Sequence, residues 1–155
     1  MDEALDSAAF AGLADRIDGW LAHYLATNER VLAVDHGGSD DCGPGERRWY
    51  VRLGGEQKEF TTVWLTLGQR TLRYETYVLP WPPQHRDEIY ETVLRRNDQL
   101  VGCHYSVGGE DAVYLRGALA STSVTEAELD RIIGTLFVEV ERTFPGLAAL
   151  AFGPF

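Results

Sequence analysis

Three consecutive runs rich in β-branched and aromatic residues constrain the fold of this chain most. They read RRWYVRL (47–53), FTTVWLTL (60–67) and TLRYETYV (71–78). The connections between them, GGEQKE and GQR, are short and contain glycine. Runs of this kind joined by hairpin-length turns pair in the antiparallel direction, because a parallel connection needs a dozen or more residues. The sequence therefore predicts an antiparallel meander at its centre.

Helices and a second hairpin are predicted around this meander. Amphipathic spacing predicts helices over residues 7–27, 88–96 and 121–144. Caps are expected at Asp6 and Thr125, and Asn97 is a plausible left-handed stop. GCHYSV and AVYLRGAL flank GGED and predict the second hairpin, while residues 30–36 are a weaker strand candidate. The expected fold is α+β, with the order α-β-β-β-α-β-β-α and an antiparallel sheet of about five strands packed with helices.

The acidic balance of the chain argues against nucleic acid as a partner. Its 155 residues carry 14 Lys and Arg against 24 Asp and Glu, and the resulting net charge of -10 repels phosphate. No apolar stretch reaches the roughly 20 residues that span a bilayer, and the acidic N-terminus is unlike a secretory signal. Both cysteines are expected to be reduced, and the expected location is the cytoplasm. Residues 1–155 are expected to form a single domain with no membrane partner.

The segment LPWPP ends the third predicted strand. Proline lacks a backbone N–H and cannot continue a central ladder, so residues 79–83 are expected to be the extended exit from the meander. Trp81 is then expected to cover an edge of the core. The alternative is a polyproline segment displayed to a partner, although PWPP lacks the PxxP spacing.

Four blocks of sequence resemble actinobacterial members of the YbjN-like family. They are RRWYVRL, EFTTVWLTLGQRTLRYETYVLPWPP, YETVLRRN and EDAVYLRGAL, in that order, between residues 47 and 152. The family is labelled as sensory transduction regulators, and its fold is similar to that of type III secretion chaperones. The resemblance implies a small helix-and-sheet adaptor that is often dimeric. The family has no established catalytic motif that could be carried over to this chain.

No group of residues predicts a catalytic, cofactor or metal site. Cys103 and His104 are neighbours in a predicted strand, so their side chains should point to opposite faces and cannot act together as nucleophile and base. The four histidines lie far apart along the chain, whereas a metal site needs three or four converging ligands. GGED (108–111) resembles the diguanylate cyclase signature, but Ala112 replaces its final phenylalanine and a hairpin turn explains both glycines.

The meander is predicted to have two different faces. The core face would carry Trp49, Val51, Leu53, Val63, Leu65, Leu67, Leu72, Tyr74 and Val78. The other face would carry the candidate partner-binding residues Arg48, Tyr50, Arg52, Trp64, Arg73, Tyr77, Tyr114 and Arg116. Aromatic residues and arginine are enriched at interfaces. Two alternatives are that these residues only stabilise the sheet through cross-strand pairs, or that the N-terminal helix covers them.

Together these features favour a non-enzymatic interaction or regulatory module that uses no cofactor and binds a polypeptide partner. Apolar surfaces on the first and last helices could serve a homodimer as readily as the core. The alternative function is a small-molecule sensor that holds an anionic ligand against Arg48, Arg52 or Arg73. A third hypothesis is an enzyme that uses Cys103.

Overall fold

The computed structural model describes residues 3–154, which contain three α-helices and six β-strands. In chain order these are α1 (Ser7–Thr27), β1 (Val31–His36), β2 (Arg47–Gly54), β3 (Phe60–Leu67), β4 (Thr71–Leu79), α2 (Arg86–Asn97), β5 (His104–Val107), β6 (Val113–Ala120) and α3 (Glu126–Phe152). Short 3₁₀ turns at Gly109–Asp111 and Ser121–Ser123 precede and follow β6. The α+β class and the general order of elements agree with the prediction.

The strands form one antiparallel sheet in the order β1-β2-β3-β4-β6-β5. The predicted number of about five strands is too low, because the weak candidate at residues 30–36 pairs along β2 as a full edge strand. The second hairpin extends the meander, since β6 pairs with β4 and β5 forms the opposite edge. The meander therefore has four consecutive strands, and α2 connects it to the hairpin.

Alternation along the strands places apolar side chains on one face of the sheet. Every residue predicted for the core face is buried, namely Trp49, Val51, Leu53, Val63, Leu65, Leu67, Leu72, Tyr74 and Val78. Ile17 of α1, Ile89 of α2 and Ile133 of α3 are buried in the same core. Full burial of one such aliphatic side chain contributes about 1.5–3 kcal/mol, so this helix-to-sheet layer is the main source of stability.

Two of the helices begin where local sequence signals predict. The side chain of Asp6 accepts the backbone N–H of Ala9 at 2.8 Å, and the hydroxyl of Thr125 accepts the backbone N–H of Glu128 at 3.1 Å. The last helix is longer than predicted, because it continues through Pro145 to Phe152. Leu147, beyond the proline, is buried, and this burial outweighs the hydrogen bond that Pro145 cannot donate.

The chain leaves the sheet after β4 as predicted, but Trp81 does not cover the core. Its side chain is 50% exposed, and the guanidinium of Arg86 stacks over its ring at 4.2 Å. Arg86 also donates a hydrogen bond to the carbonyl of Pro82 at 2.9 Å. Pro82 is the buried residue of this corner. A proline is thus buried at this corner, and the tryptophan packs locally against Arg86.

Asn97 ends α2 differently from the predicted left-handed stop. It is the last helical residue, and Asp98 after it keeps a right-handed backbone. The Asn97 side chain accepts the backbone N–H of Tyr105 at 2.7 Å and donates to the Tyr105 carbonyl at 3.1 Å. This amide therefore pairs with the outer edge of β5 as a neighbouring strand would, and it satisfies groups that an edge strand otherwise leaves open.

Candidate functional site

The second face of the sheet carries no helix within the part of the chain that the structure describes. The helices contact one another and the buried side of the strands, so all of them lie on the core side. The carboxylate of Asp18 in α1 accepts the indole N–H of Trp49, a core-face residue, at 2.7 Å. The alternative in which the N-terminal helix covers the second face is therefore wrong. We call this uncovered surface the open face.

Strand register brings all of the predicted partner-binding residues together on the open face. Cross-strand partners on it are Tyr50 with Trp64, Trp64 with Glu75, Glu75 with Arg116, Arg48 with Thr66, Thr66 with Arg73, Arg52 with Thr62, and Tyr77 with Tyr114. His104 lies opposite Arg116 at the β5 edge. The open face therefore extends across β2, β3, β4, β6 and β5.

Four aromatic rings on the open face form a continuous edge-to-face series. Tyr50 and Trp64 have ring centroids 6.2 Å apart, and Trp64 and Tyr114 have theirs 6.3 Å apart. Tyr114 and Tyr77 follow at 5.6 Å, with ring planes at 88°. Such pairs contribute about 0.5–1.5 kcal/mol each beyond the area that they bury. The rings therefore support one another on the sheet surface without a helix above them.

Two arginines are held by neighbours at one end of the open face. Arg48 donates from Nε to the hydroxyl of Thr66 at 2.9 Å, and its guanidinium lies 5.7 Å from the Trp64 ring. Arg73 forms an ion pair with Glu46 at 2.9 Å. Glu46 lies in the loop before β2, so the sequence alone did not indicate this pair. The charge of Arg73 is already balanced within the chain.

Arg116 occupies a space that depends on a glycine in the neighbouring turn. Its Nε lies 3.1 Å from a carboxylate oxygen of Glu75, outside hydrogen-bond geometry, and its guanidinium lies 4.5 Å from the Tyr114 ring. A Cβ added at Gly108 would lie 2.7 Å from Arg116 Nη2 and from Tyr114 Cδ2. A side chain at position 108 would therefore have to displace Arg116 and the Tyr114 ring.

The GGED turn itself reverses the chain with its acidic residues. Glu110 and Asp111 have φ angles of 60° and 57°, whereas Gly108 has a φ of -118°. The expectation that the hairpin turn explains both glycines is therefore wrong, because neither Gly108 nor Gly109 has a left-handed backbone. Side-chain packing on the open face accounts for Gly108.

Arg52, like Arg48, forms no ion pair with an acidic side chain within residues 3–154. Its guanidinium stacks on the ring of Phe60 at 3.8 Å. It borders a depression of about 460 Å³ lined by Asp35, Tyr50, Arg52, Lys58, Phe60, Thr62, Trp64 and Tyr77. Aromatic side chains, two basic residues and the acidic residue Asp35 thus line one concave region of the open face.

Sequence reasoning missed two residues of this depression, Lys58 and Phe60. The ammonium of Lys58 donates to the carbonyl of Phe60 at 2.8 Å and lies 5.8 Å from the ring of Phe144. Burial lowers the pKa of Lys58, and the charge of Glu141 acts in the opposite direction. Alternation could have assigned Phe60, which shares the parity of Trp64. It could not assign Lys58, which lies in a turn.

The residues considered for catalysis or metal binding are not brought together in space. Cys103 is buried and His104 is exposed, so the two side chains point to opposite sides as predicted. Burial raises the pKa of the Cys103 thiol, which disfavours the thiolate that a nucleophile needs. Between residues 3 and 154, no group of three or more His, Cys, Asp or Glu side chains is placed to hold a metal ion. No helix in that range is long and apolar enough to cross a membrane.

Comparison with known proteins identifies relatives along most of this fold. Residues 14–149 match the YbjN family model, which is described as "Putative bacterial sensory transduction regulator". Uncharacterized proteins of Mycobacterium tuberculosis (strain ATCC 25618 / H37Rv) and Mycobacterium bovis are each 33% identical over 102 residues, which are 66% of this chain and 56% of the relative. An uncharacterized Mycobacterium leprae protein is 31% identical over 108 residues, which are 70% of this chain and 59% of that relative.

The chain therefore spans little more than half the length of these curated relatives. The family match begins within α1 and ends within α3, so it includes every strand of the sheet and α2. The description of the family names a regulator and no reaction. The chain belongs to the YbjN family, as the four sequence blocks predicted.

Proposed function

We propose that the chain is a non-enzymatic regulatory module that binds a polypeptide partner on the open face. The observation that carries this proposal is a six-stranded sheet with one uncovered face, on which four linked aromatic rings lie among four arginines. Tyr, Trp and Arg are the residue types that dominate binding energy at protein interfaces. The description of the family as a regulator supports the proposal.

The charge of the open face favours an acidic partner segment. Residues 47–78 contain six basic and three acidic side chains within a chain of net charge -10. Arg52 has no acidic partner among the described residues, and Lys58 lines the same depression. A carboxylate of the partner would bind Arg52, and an adjacent apolar side chain would occupy the depression beside Trp64. Complementary charge of this kind gives specificity and speeds association.

The similarity to type III secretion chaperones that the family resemblance implies would extend this proposal. Such a module would hold a polypeptide on a helix-and-sheet surface, and we place this activity in the cytoplasm. A homodimer is compatible with it, because Leu25 of α1 and Val138 of α3 stay exposed on the helix side. Light scattering of the purified chain measures whether the dimer forms.

Peptide selection tests the open face directly. A random-peptide phage library would be selected on the wild-type chain and counter-selected on the double variant Arg52→Ala with Trp64→Ala. We expect selected peptides to combine Asp or Glu with an apolar residue. Synthetic versions should bind the double variant at least about tenfold more weakly, which corresponds to about 1.4 kcal/mol. Urea unfolding would verify that the variant is folded.

A matched control removes the same residue types from another surface. Arg95 and Trp81 are both well exposed and lie off the open face, so Arg95→Ala with Trp81→Ala should bind the peptides like the wild type. The indole N–H signals of the tryptophans provide a second measurement, because Trp64 should shift on binding and Trp49, buried in the core, should not. Equal binding by the Arg52 and Trp64 double variant, or shifts confined to Trp81, would refute the proposal.

The alternative function, a sensor of a small anionic ligand, has weaker support. Of the arginines proposed to hold that ligand, Arg73 is paired with Glu46 and Arg48 is bonded to Thr66. A thermal-shift screen of anionic metabolites separates the two functions. A ligand present at 100 times its Kd should stabilise the chain by about 2.7 kcal/mol, whereas a polypeptide-binding module should respond only to the selected peptides.

A further inference from the structure

We propose that a cavity between α1 and α3 binds an organic cation with an apolar body. The cavity has a volume of about 970 Å³, which is within the usual range for small-molecule sites. It lies among the helices, on the opposite side of the sheet from the open face. The inference therefore does not depend on the proposed polypeptide binding, and its test is separate.

Apolar and aromatic side chains form the interior of this cavity. Leu21 of α1 and Leu129 and Ile133 of α3 are buried core residues that line its floor. Trp20 and Tyr24 of α1 also line it and are half-buried against the core. Aromatic faces attract ammonium groups through cation–π contacts, most strongly for Trp. The cavity can therefore hold an apolar body and a cationic head at the same time.

Carboxylates without ion-pair partners determine the sign of the charge that the cavity accepts. Glu29, Glu126 and Asp130 line it, and none of them forms an ion pair within residues 3–154. Glu126 and Asp130 are four residues apart on α3, so they lie on the same side of that helix. Arg30 is a basic residue that also lines the cavity. Its guanidinium, however, stacks at 5.2 Å over the ring of Phe137, which is not part of the lining.

Two further observations fit a cationic ligand. The N-terminus of α3 lies at the cavity, and the positive end of its helix dipole would favour an anion. Glu126 and Glu128, in the first turn of the helix, already supply that negative charge. Burial raises the pKa of Tyr24, and the negative charge of Asp130 raises it further. The charge of Asp130 therefore reaches the aromatic wall of the cavity, where a cationic head would lie.

Three probes of similar shape test the charge preference. Benzyltrimethylammonium, benzyl alcohol and phenylacetate would each be titrated into the ¹⁵N-labelled full chain and followed by NMR. The cation should produce saturable shifts of the Trp20 indole and of amides around Thr125–Asp130, and the Trp64 indole serves as an internal reference. We expect the cation to bind at least about fivefold more tightly than the alcohol, and phenylacetate to bind more weakly than either.

Variants then assign the binding to the named carboxylates. Asp130→Asn and Glu126→Gln should each weaken binding of benzyltrimethylammonium about two- to fivefold. Glu91→Gln removes the same charge from an exposed position on α2 and should leave the affinity unchanged. Trp20→Leu should remove most of the binding, with folding verified by urea unfolding. Absence of saturable shifts, equal affinity for all three probes, or unchanged binding by both α3 variants would overturn the inference.

Discussion

Arg96 of α2 and Glu139 of α3 form an ion pair with two parallel hydrogen bonds, in which the carboxylate is buried and the Arg96 side chain is 25% exposed. Both bonds are 2.8 Å long, and Glu139 is 4% exposed. Tyr105 of β5 donates its hydroxyl to the same carboxylate at 2.9 Å. An acidic residue is tolerated among the buried residues of α3 because donors from two other elements surround it. The pair also attaches α2, the element between the meander and the second hairpin, to the last helix.

We expect removal of one member of this pair to destabilise the chain strongly. Arg96→Met leaves the Glu139 carboxylate buried without its cation, and the expected loss is about 3–5 kcal/mol. The double variant Arg96→Met with Glu139→Leu should recover much of this loss, because no uncompensated charge is left. Urea unfolding measures both. Arg95→Met, at a neighbouring position with a 78% exposed side chain, is the control, and equal stability of the two Arg variants would contradict the expectation.

Asn97→Ala should open the outer edge of β5. It removes both hydrogen bonds to the backbone of Tyr105, and the expected cost is about 1–3 kcal/mol because the edge groups lose their partner. Hydrogen exchange of the Tyr105 amide should accelerate. The exposed residue Gln99 lies just after the same helix, and Gln99→Ala should leave this exchange rate unchanged. If Asn97→Ala also leaves it unchanged, the side chain does not protect the edge.

Two adjacent glycines test the packing of the open face. Gly108→Ala places a methyl group against Tyr114 and Arg116 and should destabilise the chain by about 1–3 kcal/mol. Gly109→Ala meets no atom within 4 Å and should have little effect. Thermal unfolding measures the difference, and chemical shifts of the Tyr114 and Tyr77 rings report the local change. Equal behaviour of the two variants would show that the space above Gly108 can adjust.

The buried thiol of Cys103 should make stability depend on alkaline pH. Burial raises its pKa above the ordinary value of 9.0, so the folded state retains a proton that the unfolded chain loses. The contribution of the protonated Cys103 thiol to stability is complete below that ordinary pKa. It is lost as the pH rises through the pKa of the thiol in the folded state. The stability of the wild type relative to Cys103→Ala should therefore decline above about pH 9. A constant difference in urea unfolding across this range would contradict the expectation.

Local patterns in the sequence were sufficient for much of the fold. Alternation with a period of two assigned Trp49 and Trp64 to opposite faces, because neighbouring strand residues must point to opposite sides of a sheet. Side chains that bond to backbone atoms three residues away identified the helix starts at Asp6 and Thr125. The same local reasoning failed at Pro145, where a buried continuation of α3 outweighs the helix-breaking preference of proline.

The sequence by itself determined which residues lie on each face of the sheet, because strand periodicity depends only on neighbours along the chain. Only the tertiary structure decided what those residues contact. Between residues 3 and 154 it left the open face without a helix, paired Arg73 with Glu46 but gave Arg52 no acidic partner, and formed a cavity between α1 and α3. These relationships join segments that are distant in the chain. They depend on how helices and turns pack against the sheet, which no local spacing encodes.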